Sequence, residues 1–275
     1  MVKVALVTGA SAGIGQATCS LLASSGWVVV GASRRGTGGT ASAAGAGSAS
    51  WTGLVMDVDS DTSVTEGVQR TLDEHGRIDA LVASAGWGVA GATELTPIAD
   101  ARAQLETNFW GSVRVVQAVL PAMRAQGGGR IVLVSSLGGV IALPFQAFYS
   151  ASKFALEGLG EALAYEVAPF GIDVTLVQPG NIKTEFTAMR KVLDDSGAGG
   201  AYAAASQKAI KQMERDEQNG APSESVAAAI VKVIEAKKPP RRVSVGRIDE
   251  RVGLVGKRLL PYRLFERAAK GPLGV

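Results

Sequence analysis

The sequence predicts an α/β fold: a doubly wound, mostly parallel sheet of Rossmann type with helices on both faces. Three observations carry that expectation. Short apolar runs alternate with longer amphipathic ones along the chain, the pattern of parallel strands joined by helical crossovers. The first run, Val2-Lys3-Val4-Ala5-Leu6-Val7, passes straight into the glycine-rich segment Thr8-Gly9-Ala10-Ser11-Ala12-Gly13-Ile14-Gly15. Gly9, Ala85, Ser136 and Pro179 all fall at the C-terminal ends of predicted strands, where open α/β sheets bind their ligands.

The elements follow in order. After the first strand and the glycine loop, a helix is expected from Ile14 to Ser25 and a second strand from Trp27 to Ala32. Residues 36 to 50 are rich in Gly, Ala, Ser and Thr and read as a loop with a weak helix. Leu54-Val55-Met56 is a short third strand ending at Asp57, residues 61 to 75 are helical, and Ala80-Leu81-Val82-Ala83 is the fourth strand. Pro97 opens a long helix to Ala125, stopped by Gly127-Gly128-Gly129. Arg130 to Val134 is the fifth strand, Tyr149 to Ala168 a long helix, and Ile172 to Val177 the sixth strand, broken by Pro179-Gly180. Residues 185 to 220 are polar and Ala-rich and read as mobile helices forming a substrate lid, with Gly197, Gly199 and Gly200 as flexible points. Pro222 opens a last core helix to Ala236, and Arg242 to Val245 is a final strand.

Size and composition fit this picture. The chain has 275 residues, 47% of them apolar, with 35 glycines and 19% charged residues. It reads as a single catalytic domain over 1–275, with the lid at 185–220 and a basic C-terminal extension at 247–275. One cysteine, Cys19, excludes an intrachain disulfide, and one histidine, His75, leaves no Cys/His metal cluster, so no metal is expected. Cys19 reads as a small core residue, and His75 as a surface or helix-capping one. No run reaches the ~18 apolar residues of a membrane span, and no basic region followed by a long apolar segment opens the chain. The expected location is cytoplasmic. Residues 237–275 hold eleven Lys/Arg and three Asp/Glu against a whole-chain charge of +3. No nucleic-acid reader motif accompanies that charge, so no nucleic-acid partner is expected.

The chemistry is concentrated in two places. Gly9, Ser11, Gly13, Ile14 and Gly15 lie between a strand and a helix, where free amides and the helix dipole receive a pyrophosphate. The second strand runs on into Arg34-Arg35, where a dinucleotide fold that prefers NAD carries an acid. Arg34 can bond a 2′-phosphate, and Arg35 can stack on the adenine or assist, so the expected cofactor is NADP(H). Asp57 with Val58 is placed to meet the adenine edge; helix capping by Asp57 or Asp59 is the rival reading. The second place is Tyr149 and Lys153, four residues apart and so on one helical face. A nearby ammonium favours the phenolate, so Tyr149 is expected to titrate below its ordinary value of about 10. Ser136, thirteen residues before Tyr149, adds a hydroxyl for a carbonyl or alcohol oxygen.

Together these residues resemble the short-chain dehydrogenase/reductase family. The cofactor loop Thr-Gly-x-x-x-Gly-x-Gly matches Thr8 to Gly15, and Tyr-x-x-x-Lys matches Tyr149 to Lys153. Ser136, the helix asparagine Asn108 and the Pro179-Gly180 segment followed by Thr184 complete the likeness, which spans residues 2 to 190. The resemblance implies that Tyr149 exchanges a proton with the substrate oxygen and Ser136 hydrogen-bonds it. Lys153 then holds the nicotinamide ribose, and Asn108 supports a water linking Lys153 to solvent. It also implies that Ala85, Gly86, Pro179, Gly180, Ile182 and Thr184 line the cofactor site. One departure is Ser84-Ala85-Gly86, where the family commonly has Asn-Ala-Gly, and altered local bracing is expected there. The stretches Val134–Gly139, Leu143–Phe145 and Ala151–Gly158 look most like the 17β-hydroxysteroid and retinol dehydrogenase branch.

The expected pocket wall is Leu137, Val140, Leu143, Phe145, Phe148, Asn181, Phe186 and Met189, mainly apolar. It suits a lipophilic alcohol or ketone, steroid-like or otherwise hydrophobic. A reductase of smaller ketones or aldehydes, or a dinucleotide-sensing protein without turnover, is the alternative. In this family the helices at 97–125 and 149–168 commonly pair across a dimer. Gly158, Gly160, Ala162 and Ala164 would allow close packing, so a homodimer is expected, with a tetramer as the larger assembly. The stretch Lys257 to Phe265 could rest on a membrane surface, but Pro261 interrupts it, and a solvated tail or one packed beside the lid is preferred.

Overall fold

The computed structural model describes residues 2–43, 46–194, 197 and 200–270. Every residue of the first strand, β1 (Val4–Thr8), is buried, which requires apolar side chains on both of its faces. Strand alternation sorts them: Leu6 enters one hydrophobic cluster, Ala5 and Val7 the other. From β1 the chain runs through α1 (Gly13–Ser24), β2 (Val28–Ser33), β3 (Gly39–Ala43), β4 (Ala46–Val55), α2 (Asp61–His75), β5 (Ala80–Ala83) and β6 (Val89–Ala90). Then come α3 (Ile98–Leu105), α4 (Gly111–Ala125), β7 (Gly129–Val134), α5 (Ala147–Glu166), β8 (Ile172–Pro179), β9 (Ile182–Lys183) and α6 (Phe186–Met189). The last elements are β10 (Lys191–Val192), α7 (Ala203–Gln218), β11 (Ala221–Pro222), α8 (Ser223–Glu235), β12 (Arg242–Val245), α9 (Ile248–Leu259) and α10 (Tyr262–Lys270).

Eight strands form one sheet in the order β12-β8-β7-β5-β1-β2-β4-β3. All pairings are parallel except β3 with β4 at the edge. On one face, Cys19 and Leu22 of α1 and Val226 and Ile230 of α8 pack against the sheet. On the other, α2, α4 and α5 contribute Val64, Val68, Val115, Val119, Leu156 and Leu163. Cys19 is fully buried, and burial pushes its thiol up to about 12, so it is an inert core residue. His75 ends α2 ahead of Gly76, whose left-handed φ of 74° closes the helix. Strand order reverses at β1, which pairs β2 on one side and β5 on the other. That reversal opens a crevice at the C-terminal ends of β1 and β5.

Two elements differ from the sequence reading. Residues 36–50 were expected as a loop with a weak helix, but Gly39–Ala43 and Ala46–Val55 form an antiparallel pair (Ala44 and Gly45 lie outside the described residues). A Gly/Ala/Ser/Thr run offers no apolar helix face, whereas an edge strand needs only a partner for its backbone. Trp51 on β4 supplies the missing bulk by packing beside Gly31, where no larger side chain fits. The helix expected over 97–125 is interrupted by a π turn at Glu106–Trp110. Such an insertion rotates the residues that follow it and recurs at functional sites. Here it carries Asn108. The C-terminal extension carries α9 and α10, and α9 packs against the body through Glu250 and Lys257.

Residues 185–220 are tied down at both ends. Lys191–Val192 pairs with Val89–Ala90, and Ala221–Pro222 pairs with Ile182–Lys183. Of the glycines expected as flexible points, Gly199 lies outside the described residues, and Gly200 has a left-handed φ of 73°.

Candidate active site

The crevice is the head of a cleft of about 1320 Å³ lined by Gly9, 11–15, 33–34, 56–59, 84–87, the ends of β7 and β8, residues between 184 and 217 and the C-terminal helices. Gly9 leaves β1 at φ 69°, and a Cβ there would stand 2.9 Å from the Ala85 backbone nitrogen. The two strand ends therefore approach as closely as they do because position 9 is glycine. Thr8 braces the junction: its Oγ1 accepts from the backbone nitrogens of Ser84 (3.0 Å) and Ala85 (3.2 Å). These bonds engage the backbone of Ser84, where an asparagine side chain is more usual. Helix α1 starts at Gly13 without a side-chain cap on its first turn, leaving amide hydrogens for an anion.

Ser11, Ile14, Gly15, Arg34, Asp57, Val58, Gly86, Pro179, Gly180, Ile182 and Thr184 also line this cleft. Arg34 faces it and is exposed; Arg35 is turned instead toward the loop, with Nη2 at 3.5 Å from the Ser11 carbonyl. Neither Asp57 nor Asp59 caps α2. Ser60 does so, its Oγ accepting from the Ser63 nitrogen, while Asp57 Oδ1 accepts from the Asp59 nitrogen in a local turn. The set fits a dinucleotide: free helix amides for a pyrophosphate, a close glycine approach, and an unspent guanidinium one strand away.

Deeper in, Ser136, Tyr149 and Lys153 converge. Ser136 ends the β7 segment and caps a short 3-10 turn, its Oγ accepting from Gly138 nitrogen at 2.9 Å. The same hydroxyl neighbours the Tyr149 phenol, whose pKa it acts to lower. Ser135 faces the other way, packed against Gly139. Tyr149 lies in the first turn of α5, with its ring edge-on to Phe186 at 5.6 Å. Lys153, one turn on, is buried; Nζ donates to the Val134 carbonyl at 2.9 Å and stands 5.9 Å from the Tyr149 ring centre. Asn108 is fully buried; its Nδ2 donates to Trp87 O (3.0 Å) and Ser152 Oγ (3.1 Å), and its Oδ1 accepts from Trp87 N (3.0 Å). It pins the loop carrying Gly86 against α5 beside Lys153.

The electrostatics correct one expectation. Burial holds the Tyr149 phenol above its ordinary value; Ser136 and Arg190 act downward, and Glu217 upward. The ammonium of Lys153 does not offset that desolvation, because burial lowers Lys153 itself to about 8, with Glu157 resisting. The pair is therefore a neutral phenol beside a lysine that still carries its proton at pH 7 and loses it near pH 8.

The cleft includes part of the expected pocket wall. Leu137, Leu143, Asn181, Phe186 and Met189 line the cleft; Val140, Phe145 and Phe148 do not. Phe145 sits at the left-handed φ of 57° and turns away. Phe148 precedes Tyr149 by one residue, about 100° around the helix. Asn181 lines the wall, but its Nδ2 is spent on Glu250 Oε1 at 2.6 Å. Ile141, Pro144, Gln146, Gln212 and Met213 take the vacated places, joined by Val252, Leu260 and Phe265 from α9 and its successor. No local motif marks these positions, since they reach the cleft by long-range docking. Glu250 anchors α9 by accepting from Asn181 N (3.1 Å) and Arg247 N (2.9 Å), and Lys257 Nζ donates to the Val140 carbonyl and lies 5.2 Å over the Phe154 ring.

Comparison with known proteins places this geometry. Residues 3–193 match the model of the short chain dehydrogenase family. The 3-ketodihydrosphingosine reductase of Bacteroides thetaiotaomicron is 39% identical over 268 residues, covering 98% of this chain and 97% of that one. Human 17-beta-hydroxysteroid dehydrogenase type 1 is 42% identical over 140 residues, 51% of this chain and 42% of its own length. A short-chain dehydrogenase structure from Streptomyces avermitilis superposes with a TM-score of 0.79 at 29% identity, covering 98% of both chains. The family's enzymes use nicotinamide dinucleotides, and this chain is an oxidoreductase belonging to the short-chain dehydrogenase family.

Proposed function

We propose that this protein is an NADP(H)-dependent oxidoreductase that interconverts a ketone and a secondary alcohol on a lipophilic substrate. The observation that carries the reading is the convergence of the Tyr149 phenol, Ser136 and Lys153 on one largely apolar cleft. A nicotinamide dinucleotide bound at the glycine loop would supply or accept the hydride. The chain's residues do the rest. Ser136 and Tyr149 hold the substrate oxygen between two hydroxyls. In reduction the phenol hands its proton to that oxygen as the carbonyl becomes an alcohol; in oxidation it takes the proton back. Lys153 binds the ribose and, with Asn108 and an intervening water, returns the proton from solvent.

The substrate reading is a ketone on a long-chain or similarly greasy amphiphile. It rests on the apolar wall of Leu137, Ile141, Leu143, Leu260 and Phe265. It also rests on the full-length likeness to a protein named for a keto sphingoid base, which is broader than the half-length likeness to the steroid enzyme. Loss of NADPH absorbance, followed across a long-chain 3-keto amphiphile, steroid ketones and small ketones, tests it. Fastest turnover is expected on the long-chain ketone, and a preference for small ketones or aldehydes would overturn it.

Cofactor choice rests on Arg34, exposed on the cleft wall after β2. A charge-assisted bond to a 2′-phosphate contributes about 1.5–3 kcal/mol. Arg34→Ala should therefore raise the KM for NADPH roughly ten- to a hundredfold and leave that for NADH nearly unchanged. Equal losses for both would remove the NADP(H) assignment.

A homodimer through α4 and α5 belongs to the same reading. Gly158 and Ala162 sit on the exposed face of α5, with nothing within 4 Å of a Cβ at 158. Gly160 and Ala164 are instead buried against the protein's own sheet. Trp110 and Tyr165 are exposed nearby in sequence, at 50% and 72%. Gly158→Arg is expected to give monomers in sedimentation velocity, while an unchanged assembly would place the interface elsewhere.

A further inference from the structure

The C-terminal helices have two unlike faces. Glu250, Gly253 and Lys257 of α9 point to the body, meeting Asn181, Ile141 and Val140. Ile248, Val252, Val255 and Leu259 recur at intervals of four, three and four residues, which places them in one stripe on the opposite face. They are 79%, 61%, 54% and 76% exposed. Arg251 and Arg258 run alongside the stripe, both exposed. Beyond Pro261, α10 continues the surface with Tyr262 and Leu264, 70% and 51% exposed, beside exposed Arg263 and Arg267. Leu260 and Phe265 meanwhile line the cleft, and Val252, at the edge of the stripe, reaches its rim. The apolar surface is thus the outer side of the wall whose inner side faces the substrate.

We propose that α9 and α10 dock this protein on an anionic lipid surface and set the cleft mouth against the bilayer, so that a membrane-borne ketone enters without crossing water. The proposal rests on the lipophilic-substrate reading above for its purpose, though not for its physics. An amphipathic helix with a basic flank lies in the headgroup region with its apolar stripe inserted, and anionic lipids attract the cations beside it. Residues 247–270 carry seven Lys/Arg and three Asp/Glu, a net of +4, so the remainder of the chain, at a total of +3, is −1. That same charge argues against a second copy as the occupant: an isologous contact would set this basic surface against itself. No described helix is long and apolar enough to cross a membrane, so the contact is with one leaflet. The sequence reading gave membrane contact second place because Pro261 breaks the apolar run. In the folded chain that break lets two short helices present one surface.

Flotation of the full chain with vesicles of phosphatidylcholine, alone or mixed with phosphatidylglycerol, tests this. Binding to the anionic vesicles is expected to be at least tenfold stronger and to weaken with salt. Arg251→Gln with Arg258→Gln should abolish the preference, and Val255→Glu with Leu259→Glu should abolish binding. Both double variants should turn over a water-soluble short-chain ketone like the parent. Absence of binding to anionic vesicles, or equal binding by parent and both variants, overturns the proposal. So does a change of oligomeric state in Val255→Glu with Leu259→Glu, which would assign the face to a second copy. Vesicle binding without turnover of any ketone would remove the proposed activity and leave the docking surface standing.

Discussion

Tyr149→Phe should lower kcat by about a thousandfold or more and leave the dissociation constant of NADPH within about threefold. The substitution removes one oxygen from a buried ring. That ring keeps its edge contact with Phe186, and Ser136 keeps its bond from Gly138, so the fold loses about one hydrogen bond, roughly 1 kcal/mol. What disappears is the proton donor, and a positioned acid or base contributes about 10²–10⁴ in rate. Stopped-flow turnover paired with cofactor titration separates the two effects. A protein that only senses dinucleotide would show no turnover to lose. A variant losing cofactor affinity and turnover in equal measure would make the phenol a binding group instead.

Lys153→Met should abolish turnover and stabilise the fold at neutral pH. Burial lowers the Lys153 pKa from 10.5 to about 8, so at pH 7 the folded protein holds a cation that the unfolded chain would solvate better. The displacement corresponds to roughly 3 kcal/mol. Because the folded value is the lower one, the unfolded chain binds more protons between pH 8 and 10.5, and wild-type stability rises across that window. Below pH 8 the penalty is present in full. Methionine carries no such penalty, so its advantage should be several degrees in Tm at pH 7 and should fade as pH rises from 8 toward 10.5. Thermal melts of both proteins at pH 7 and pH 10 check the sign. A less stable variant at pH 7, or a constant gap, would mean that the ammonium is well compensated and that the bond to Val134 outweighs its burial.

Both expectations concern residues that the sequence already singled out, and the reason is local. Tyr149 and Lys153 are one helical turn apart, and Gly9 to Gly15 join a strand to a helix, so pattern and spacing alone bring these groups together. The parallel sheet follows similarly from apolar runs buried on both faces. Elsewhere the determinants are distant. The β3–β4 pair depends on Trp51 finding the space beside Gly31, which no window of sequence displays. The π turn at Asn108 depends on three side-chain hydrogen bonds to Trp87 and Ser152. The raised phenol follows from its burial, with Phe186 packed against the ring, while the sequence displays only the neighbouring lysine. The C-terminal wall of the cleft was least legible, because its placement rests on Glu250 meeting Asn181 and Lys257 meeting Val140, 69 and 117 residues away.

The most direct test of the account is transfer of label from NADPH deuterated at both nicotinamide C4 positions to a long-chain ketone, followed by mass spectrometry. Wild type should place one deuterium on the new carbinol carbon for each cofactor consumed, and Tyr149→Phe should bind the cofactor without forming that product. Cofactor consumed without labelled alcohol, or labelled alcohol formed at the wild-type rate by Tyr149→Phe, would contradict it.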